Sequence, residues 1–280
     1  MMRLTHQATA LVALLFGALD SGYLKNTHLT FIATGFYLIS VSSFTVNEFV
    51  DAADTDKFSV RERAVAGITI SKNIVVSLWF LTALIGSLIL FNFGLYWQAI
   101  ASVLAGIIYS VPPFRFKARF LLDQMTVFFY LMFIPYSVGF TLTNQPFSAM
   151  ITLPFISLTT FLTVAQGVHL LGDLDADKKG GLNNTPVVLG YSNMMKGLIV
   201  CAFIATAGFM YLLYQHTHWW YYPLIFFSVL SILALGYARG NIYNPDKLTA
   251  RLAWATKTAV SLGNWVIVYL AAIIYLLTHQ

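Results

Sequence analysis

Residues 150–179 read MITLPFISLTTFLTVAQGVHLLGDLDADKK, an apolar run that leads into a cluster of carboxylates. The apolar part, residues 150–171, is long enough to cross a bilayer as a helix, which takes roughly 17–25 residues. Asp173, Asp175 and Asp177 follow it directly. Carboxylates beside a bilayer are costly unless they are paired, hydrated or bound to a cation. The stretch therefore predicts a membrane helix that carries a group of acidic side chains to the membrane surface.

The composition of the whole chain is that of a membrane protein. Of its 280 residues, 58% are hydrophobic and only 10% are charged, whereas a soluble globular domain has about 25% charged residues. The mean hydropathy is +0.73. The net charge of +5 lies in the loops between apolar runs, so we do not interpret it as a nucleic-acid signal. The single cysteine, Cys201, lies inside an apolar run and is predicted to be an inert thiol.

Nine apolar segments are long enough to span a bilayer. They are residues 8–24, 29–51, 74–93, 95–111, 121–142, 150–171, 197–214, 219–237 and 252–277. Lipid admits only helices or closed barrels, and these runs lack the alternation of barrel strands. We therefore predict an all-α polytopic membrane protein with nine transmembrane helices, forming one domain over residues 1–280. The division between the third and fourth segments rests only on Asn92 and Gly94.

Lys and Arg residues are distributed unequally between the two sets of loops. With nine helices, one set holds nearly all of them and the opposite set holds Lys25 alone. The positive-inside rule then places the N-terminus and every long loop in the cytoplasm. Both acidic clusters and a Pro-Pro loop at residues 109–117, YSVPPFRFK, lie on that same side. The topology thus gathers the unusual polar segments at one membrane face.

A second acidic cluster, NEFVDAADTD at residues 47–56, ends the second apolar segment. The two clusters together hold seven of the eleven acidic residues of the chain. Asn47 and Asp51 are four residues apart, as are Asp173 and Asp177, and such pairs share one face of a helix. Mg²⁺ takes one or two carboxylates and completes its shell with water and phosphate oxygens. Two such clusters predict a site for a magnesium–diphosphate complex, whereas Asp175 points away and is predicted to be solvated.

Basic residues in the same loops would balance phosphate charge: Arg61, Arg63, Lys72, Arg115, Lys117, Lys178 and Lys179. The positive-inside rule would place each of them there without any further role. His169 is more simply a structural hydrogen-bonding residue than a metal ligand, and we assign no role to Asp20 or Asp123. Tyr109 and Tyr130 are candidates to face a carbocation with their aromatic rings.

Taken together, these motifs resemble the UbiA-type intramembrane prenyltransferases. That family has an Asn-x-x-x-Asp-x-x-x-Asp motif after the second of nine helices and an Asp-x-x-x-Asp motif after the sixth. Asn47 and Asp51 match the first motif, and Asp173 and Asp177 match the second. The resemblance continues through the Tyr-Ser-x-Pro-Pro loop and through residues 63–67 (RAVAG), 178–181 (KKGG) and 185–190 (TPVVLG).

The chain departs from the family pattern at the third acid of the first motif. That acid is expected at position 55, which is Thr55, and Asp54 and Asp56 flank it. Helical geometry favours Asp54, because it stays on the face of Asp51. Counting back from Arg63 favours Asp56. Both residues remain candidate ligands.

The resemblance implies a helical bundle around a central cavity, with two Mg²⁺ ions bridging the diphosphate of a prenyl donor. The implied metal ligands are Asn47, Asp51, Asp54, Asp56, Asp173 and Asp177. The implied catalytic residues are Asp51, Asp173 and Lys117. The implied diphosphate-binding residues are Arg63, Arg115, Lys117, Lys178 and Tyr109.

The implied reaction is ionisation of the donor to an allylic cation, which a hydrophobic acceptor captures within the membrane. The acceptor would be a lipid, a quinone precursor, a pigment or a carotenoid, and the motifs look closest to the carotenoid-elongating and chlorophyll-synthase-like branches. Two other activities are compatible with the same residues. One is a terpene cyclase that acts on the prenyl diphosphate alone, and the other is a cation-coupled transporter. A non-catalytic relative is a further alternative, since the first motif is irregular.

Overall fold

The computed structural model describes residues 8–23, 28–52, 72–216 and 221–240. All regular elements within these ranges are helical. The described residues fall into two compact units. The first comprises the residues up to Gln145 together with Asp175–Thr185, and the second comprises Pro146–Leu174 and the residues from Pro186 onward.

Eight helices follow one another along the described chain. They are α1 (Ala8–Asp20), α2 (Leu29–Ala52), α3 (Lys72–Phe91), α4 (Tyr96–Ser110), α5 (Leu122–Leu142), α6 (Leu153–Lys179), α7 (Thr185–His216) and α8 (Tyr221–Gly240). Five of them, α2, α3, α5, α6 and α7, are long and apolar enough to cross a membrane. All eight overlap the first eight predicted segments in order. The ninth segment, residues 252–277, lies outside the described residues, so the nine-helix topology stays a prediction.

Three helices end in a Schellman motif, in which a glycine with positive φ closes the last turn. Gly94 (φ +74°) ends α3, and the Leu95 N–H donates to the Leu90 oxygen at 3.1 Å. Gly181 (φ +73°) ends α6 in the same way, and Gly22 (φ +77°) ends α1. The prediction that α3 and α4 are separate is therefore confirmed, and the reason is the left-handed conformation of one glycine rather than a break in hydropathy.

Two predicted helix boundaries are wrong. Helix α6 continues from the predicted end at residue 171 to Lys179, so the second acidic cluster lies inside the helix. Helix α7 begins at Thr185 instead of residue 197 and is interrupted at Gly190, whose φ is +72° and ψ is 164°. Apolar character marks the part of a helix that lipid can cover, whereas backbone hydrogen bonding continues into the polar turns. The basic Lys178 and Lys179 suit the last turn of α6, where carbonyl oxygens accumulate negative charge.

Helix α5 contains a π-helical turn at Phe129–Phe133. Pro135 follows two residues later, near the start of the next α-helical stretch. Proline has no backbone N–H, and its ring crowds the carbonyl group four residues earlier, here that of Leu131. The wider π turn accommodates that carbonyl group, so the helix continues to Leu142.

The helices of the first unit approach one another through glycines. A Cβ atom on Gly17 would overlap the backbone carbonyl group of Tyr136, and one on Gly139 would overlap the Gly17 oxygen. A Cβ atom on Gly86 would lie 2.7 Å from the Gly35 oxygen. Small residues let membrane helices pack backbone to backbone, which gives dispersion contacts that lipid cannot match. These crossings hold α1 against α5 and α2 against α3, around the buried side chains of Leu14, Ile32, Phe36, Ile39, Leu90, Leu95, Ile134 and Val138.

In the second unit, glycines likewise let α6 and α7 pack closely. A Cβ atom on Gly167 would overlap the side chain of Leu198, and one on Gly208 would overlap the hydroxyl group of Ser157. Apolar side chains of α6, α7 and α8 fill the space beside these contacts: Val164, Val168, Met194, Met195, Leu198, Ala202 and Leu235. The second unit is thus a helical core of its own.

The Gly17 crossing makes a testable prediction about stability. Gly17→Ala should lower the melting temperature in detergent, because the new Cβ atom meets backbone that no rotamer change can move. Overpacking of this kind costs about 1–3 kcal/mol. The matched control is Gly197→Ala, where the new Cβ atom has no neighbour within 4 Å. Alanine is favoured over glycine in helices by about 1 kcal/mol, so the control should be as stable as the parent or more so. Equal melting temperatures for the two variants would contradict the close crossing.

Candidate active site

Asn47 is the first motif residue whose surroundings the structure describes. It lies in α2 and is half-buried. Its side-chain oxygen accepts a hydrogen bond from the Ser110 hydroxyl group at 3.0 Å and one from the Lys117 ammonium group at 3.4 Å. Ser110 is 1% exposed and Lys117 is 7% exposed. The fold therefore brings the Tyr-Ser-x-Pro-Pro loop to the first acidic motif.

A close helix crossing explains this arrangement. A Cβ atom on Gly106 of α4 would overlap the side chain of Ser43 of α2. Gly106 lies one turn before Ser110, and Ser43 lies one turn before Asn47. The crossing thus sets the distance between the two helices one turn before the Ser110–Asn47 hydrogen bond. The hydroxyl group of Tyr130, from α5, lies near the side chains of Ser40 and Ser43 of α2.

The loop after α4 turns Lys117 inward. Its Pro112–Pro113 peptide bond is cis, the backbone of Arg115 is left-handed with φ +40°, and a short 3₁₀ turn, Phe116–Ala118, carries Lys117. Arg119 lies on the outside of the same loop, where its guanidinium group donates to the Pro113 oxygen at 2.9 Å and covers the Phe116 ring. The loop therefore separates a buried ammonium group from an exposed guanidinium group two residues away.

The second motif lies in the last turns of α6. Asp177 is half-buried and accepts a hydrogen bond from the side-chain amide of Asn184 at 2.7 Å, and Asn184 is 2% exposed. The Asp173 carboxylate is 32% exposed and lies 3.7 Å from the Nδ1 atom of His169, which is longer than a hydrogen bond. Asp175 is exposed, as the helical spacing predicts. His169 lies within α6 rather than at its end, because the helix continues to Lys179.

Asp123 was assigned no role from the sequence, yet it is 1% exposed and fully engaged. It accepts hydrogen bonds from the backbone N–H and the hydroxyl group of Thr185, and another from Gln124. A carboxylate in the first turn of an apolar helix, and a Thr-Pro pair that starts another helix, are the available sequence signals. Ser110 was also missed as a positioning contact because its partner, Asn47, lies 63 residues away. Asn184 was missed because it belongs to none of the motifs, although its partner Asp177 does.

The other predicted site residues are placed as follows. Tyr109 and Arg115 are half-buried and Lys178 is exposed. Asp51 lies in α2 one turn after Asn47, and the structure describes its backbone only. Asp54, Asp56 and Arg63 lie outside the described residues. Within the described ranges, no three His, Cys, Asp or Glu side chains converge in a way that could hold a metal ion.

The donor set nevertheless has the chemistry that Mg²⁺ requires. The amide oxygen of Asn47 and the carboxylates of Asp173 and Asp177 are hard oxygen ligands, and Mg²⁺ prefers these to nitrogen or sulfur. Asn47 and Asp177 are each oriented by a buried hydrogen-bond donor, Ser110 and Asn184 respectively. Ligand orientation by neighbouring donors is a usual property of metal sites. The residues present therefore fit magnesium.

Curated relatives that match this chain include two lycopene elongase/hydratases. It is 28% identical over 182 residues to a lycopene elongase/hydratase of Corynebacterium glutamicum, a match that covers 61% of each chain. It is 26% identical over 211 residues to a lycopene elongase/hydratase of Haloarcula japonica, covering 69% of this chain and 65% of the relative. The chain thus matches a little under two thirds of the length of these relatives.

Solved structures of UbiA homologs share the fold. The apo structure of a homolog from Aeropyrum pernix superposes with a TM-score of 0.69 at 15% identity, covering 98% of this chain and 99% of that one. A homolog from Archaeoglobus fulgidus, solved with DMAPP and Mg²⁺, gives a TM-score of 0.61 at 17% identity and covers 96% and 98%. The sequence profile of the UbiA prenyltransferase family matches residues 8–262. This match spans most of the chain, including every described helix, and the chain therefore belongs to the UbiA prenyltransferase family.

Proposed function

We propose that this protein transfers an isoprenyl group from a prenyl diphosphate to a hydrophobic acceptor within the membrane, with Mg²⁺ as cofactor. The observation that carries the proposal is the buried Lys117 ammonium group beside Asn47. It places positive charge next to the first residue of a motif whose other members are carboxylates. We place this site on the cytoplasmic side of the membrane, where the distribution of Lys and Arg puts it.

Lys117 would bind the diphosphate and stabilise the charge that develops on it. Its ammonium group is largely shielded from water, and a shielded charge interacts more strongly with an anion than an exposed one does. Arg115 is half-buried in the same loop. Arg63, Lys178 and Tyr109 would complete the diphosphate contacts, as the family resemblance implies.

The ligand set for magnesium would be Asn47, Asp51, Asp173 and Asp177, with Asp54 or Asp56 as a further member. Bound Mg²⁺, in two ions by the family resemblance, would act as a Lewis acid that neutralises the departing diphosphate. Ser110 orients the Asn47 oxygen, and Asn184 orients Asp177. These contacts would keep the ligands in place while the substrate binds.

The chemistry would begin with cleavage of the C–O bond of the donor, whose electron pair leaves with the diphosphate. A double bond of the acceptor would then supply the electrons for the new C–C bond. The acceptor cation that results would lose a proton or take up water. We propose a carotenoid acceptor, because the curated relatives are lycopene elongase/hydratases and solved homologs hold DMAPP or GPP with Mg²⁺.

Removal of Asp173 tests the proposed metal ligands. Asp173→Ala should lower the magnesium-dependent release of diphosphate from a prenyl donor by about 100-fold or more, the usual loss when one stabilising group is removed. The double variant Asp51→Ala with Asp173→Ala should retain no activity. Asp175→Ala is the matched control, since Asp175 is exposed in the same cluster, and it should keep nearly parental rates. Diphosphate release at the parental rate by the double variant would show that these residues are not the metal site.

Removal of the buried ammonium group tests the role of Lys117. Lys117→Met keeps the apolar stem and loses the charge, and it should lower the rate at saturating donor by about 10- to 1000-fold. Lys117→Arg should retain part of the activity, because the charge is kept in a larger group. Lys196→Met removes a charge from an exposed position and should leave the rate unchanged. The proposal fails on this point if Lys117→Met and Lys196→Met behave alike.

The acceptor is tested with membranes that contain the protein, DMAPP, Mg²⁺ and lycopene. We expect lycopene-derived products with one or two added isoprenyl units, with or without added water, detected by chromatography and mass spectrometry. Omission of lycopene should stop consumption of DMAPP and of longer prenyl diphosphates. Formation of a hydrocarbon from the donor alone would instead identify a terpene cyclase and would overturn the transferase proposal.

A further inference from the structure

We propose that Asp123 is a positioning residue that holds the Lys117 loop and the Asp177 ligand in one arrangement. The inference rests on the proposed function in one respect, namely that Lys117 and Asp177 bind the substrate–metal complex. It concerns a residue that belongs to neither acidic motif. Its basis is a set of hydrogen bonds within the first unit that joins the loop after α4 to the segment between α6 and α7.

Both oxygens of Asp123 are used by the same partner residue. One accepts a hydrogen bond from the Thr185 N–H at 3.0 Å, and the other accepts a hydrogen bond from the Thr185 hydroxyl group. Gln124 also donates to Asp123 at 3.2 Å. A carboxylate that is 1% exposed is tolerated only when hydrogen bonds of this kind replace its water. These hydrogen bonds therefore hold the Asp123 carboxylate in one orientation.

Thr185 also contacts the loop that carries Lys117. While its hydroxyl group donates to Asp123, the same oxygen accepts a hydrogen bond from the Leu121 N–H at 2.9 Å. Leu121 has a φ of +64°, a conformation that bulky residues rarely adopt. A second contact lies just before this one in both segments: the N–H of Asn183, two residues before Thr185, donates to the oxygen of Ala118, three residues before Leu121, at 3.1 Å. The loop that carries Lys117 is thus fastened at two points.

The segment that contains Thr185 also contacts the second motif. Asn184 lies between Asn183 and Thr185, and its side-chain amide donates to Asp177 at 2.7 Å. Ala118, the other anchoring residue, directly follows Lys117. One anchored segment is therefore adjacent in sequence to Lys117, the proposed diphosphate-binding residue. The other contains Asn184, which orients Asp177. Loss of the Asp123–Thr185 contact should displace both groups.

A purely structural contact would make a different prediction. It would change the stability of the fold and leave the affinity for magnesium and diphosphate as it is. A positioning contact should instead raise the Mg²⁺ concentration needed to bind diphosphate, even in a variant that folds normally. Loss of groups that orient metal ligands typically weakens metal binding by about 10- to 100-fold.

The experiment compares Thr185→Val, which loses the hydroxyl group, with Thr185→Ser, which keeps it, and with Asp123→Asn. Binding of inorganic diphosphate to the full chain in detergent is measured by calorimetry across a series of Mg²⁺ concentrations, together with the melting temperature. We expect the half-saturating Mg²⁺ concentration to rise by about 10-fold or more in Thr185→Val and Asp123→Asn, and parental behaviour in Thr185→Ser. The control is Thr206→Val, since the buried hydroxyl group of Thr206 donates to the Ala202 carbonyl group of its own helix.

The outcomes separate this inference from the proposed function. If Thr185→Val melts at a lower temperature but binds magnesium and diphosphate like the parent, Asp123 is only structural and the inference is overturned. If the parent binds diphosphate with Mg²⁺ but transfers no prenyl group, the proposed function fails and the positioning role is still decided by binding. If the parent binds no diphosphate at any Mg²⁺ concentration, both are overturned. Should Asp123→Asn fail to fold, the Thr185 pair gives the result alone.

Discussion

A charged side chain inside an apolar helical protein must be matched by polar groups, and the described part of this chain meets that constraint with a few hydrogen-bonded pairs, each with at least one buried member. The Lys117 ammonium group donates to the Asn47 side-chain oxygen, Asp123 accepts from Thr185, and Asp177 accepts from Asn184. Each pair joins segments that the sequence separates, except the last, which closes the turn after α6. Because such groups are costly to bury alone, the pairs determine where the loops between the helices can lie.

Helix packing provides the frame in which these pairs form. The Gly106–Ser43 crossing brings α4 to α2 just before Ser110 meets Asn47, and the Gly17–Gly139 crossing holds α1 against α5. Small residues at helix crossings replace the hydrophobic driving force that a bilayer does not provide. A small change at the Gly106–Ser43 crossing would move Ser110 relative to Asn47. The hydrogen bond between them tolerates displacements of only a few tenths of an ångström. Fold stability and site geometry therefore depend on the same contacts.

Hydropathy alone predicted the eight described helices in order, since lipid-compatible length and composition leave few alternatives. It failed at the ends of α6 and α7, where backbone hydrogen bonding continues into polar sequence and stops at Gly181 or starts at Thr185. The helical spacing of the second motif correctly separated the exposed Asp175 from Asp177. The sequence marks Asp123 and Thr185 each as the start of a helix, but their hydrogen bonding could not be predicted, because the two residues lie 62 positions apart. Local patterns carry no information on such a pairing.

The basic residues of the loop after α4 carry the same charge but differ in burial, and this difference separates their roles. Topology alone accounts for the presence of Arg115, Lys117 and Arg119 on one side of the membrane. Arg119 is exposed and braces the loop by bonding Pro113, whereas Lys117 is 7% exposed and contacts Asn47. A basic residue that only sets the orientation of the protein in the membrane can stay in water. Burial of its ammonium group costs free energy, and the positive-inside rule gives no compensation for that cost. The inward position of Lys117 therefore favours a chemical role for it, and the outward position of Arg119 favours a structural one.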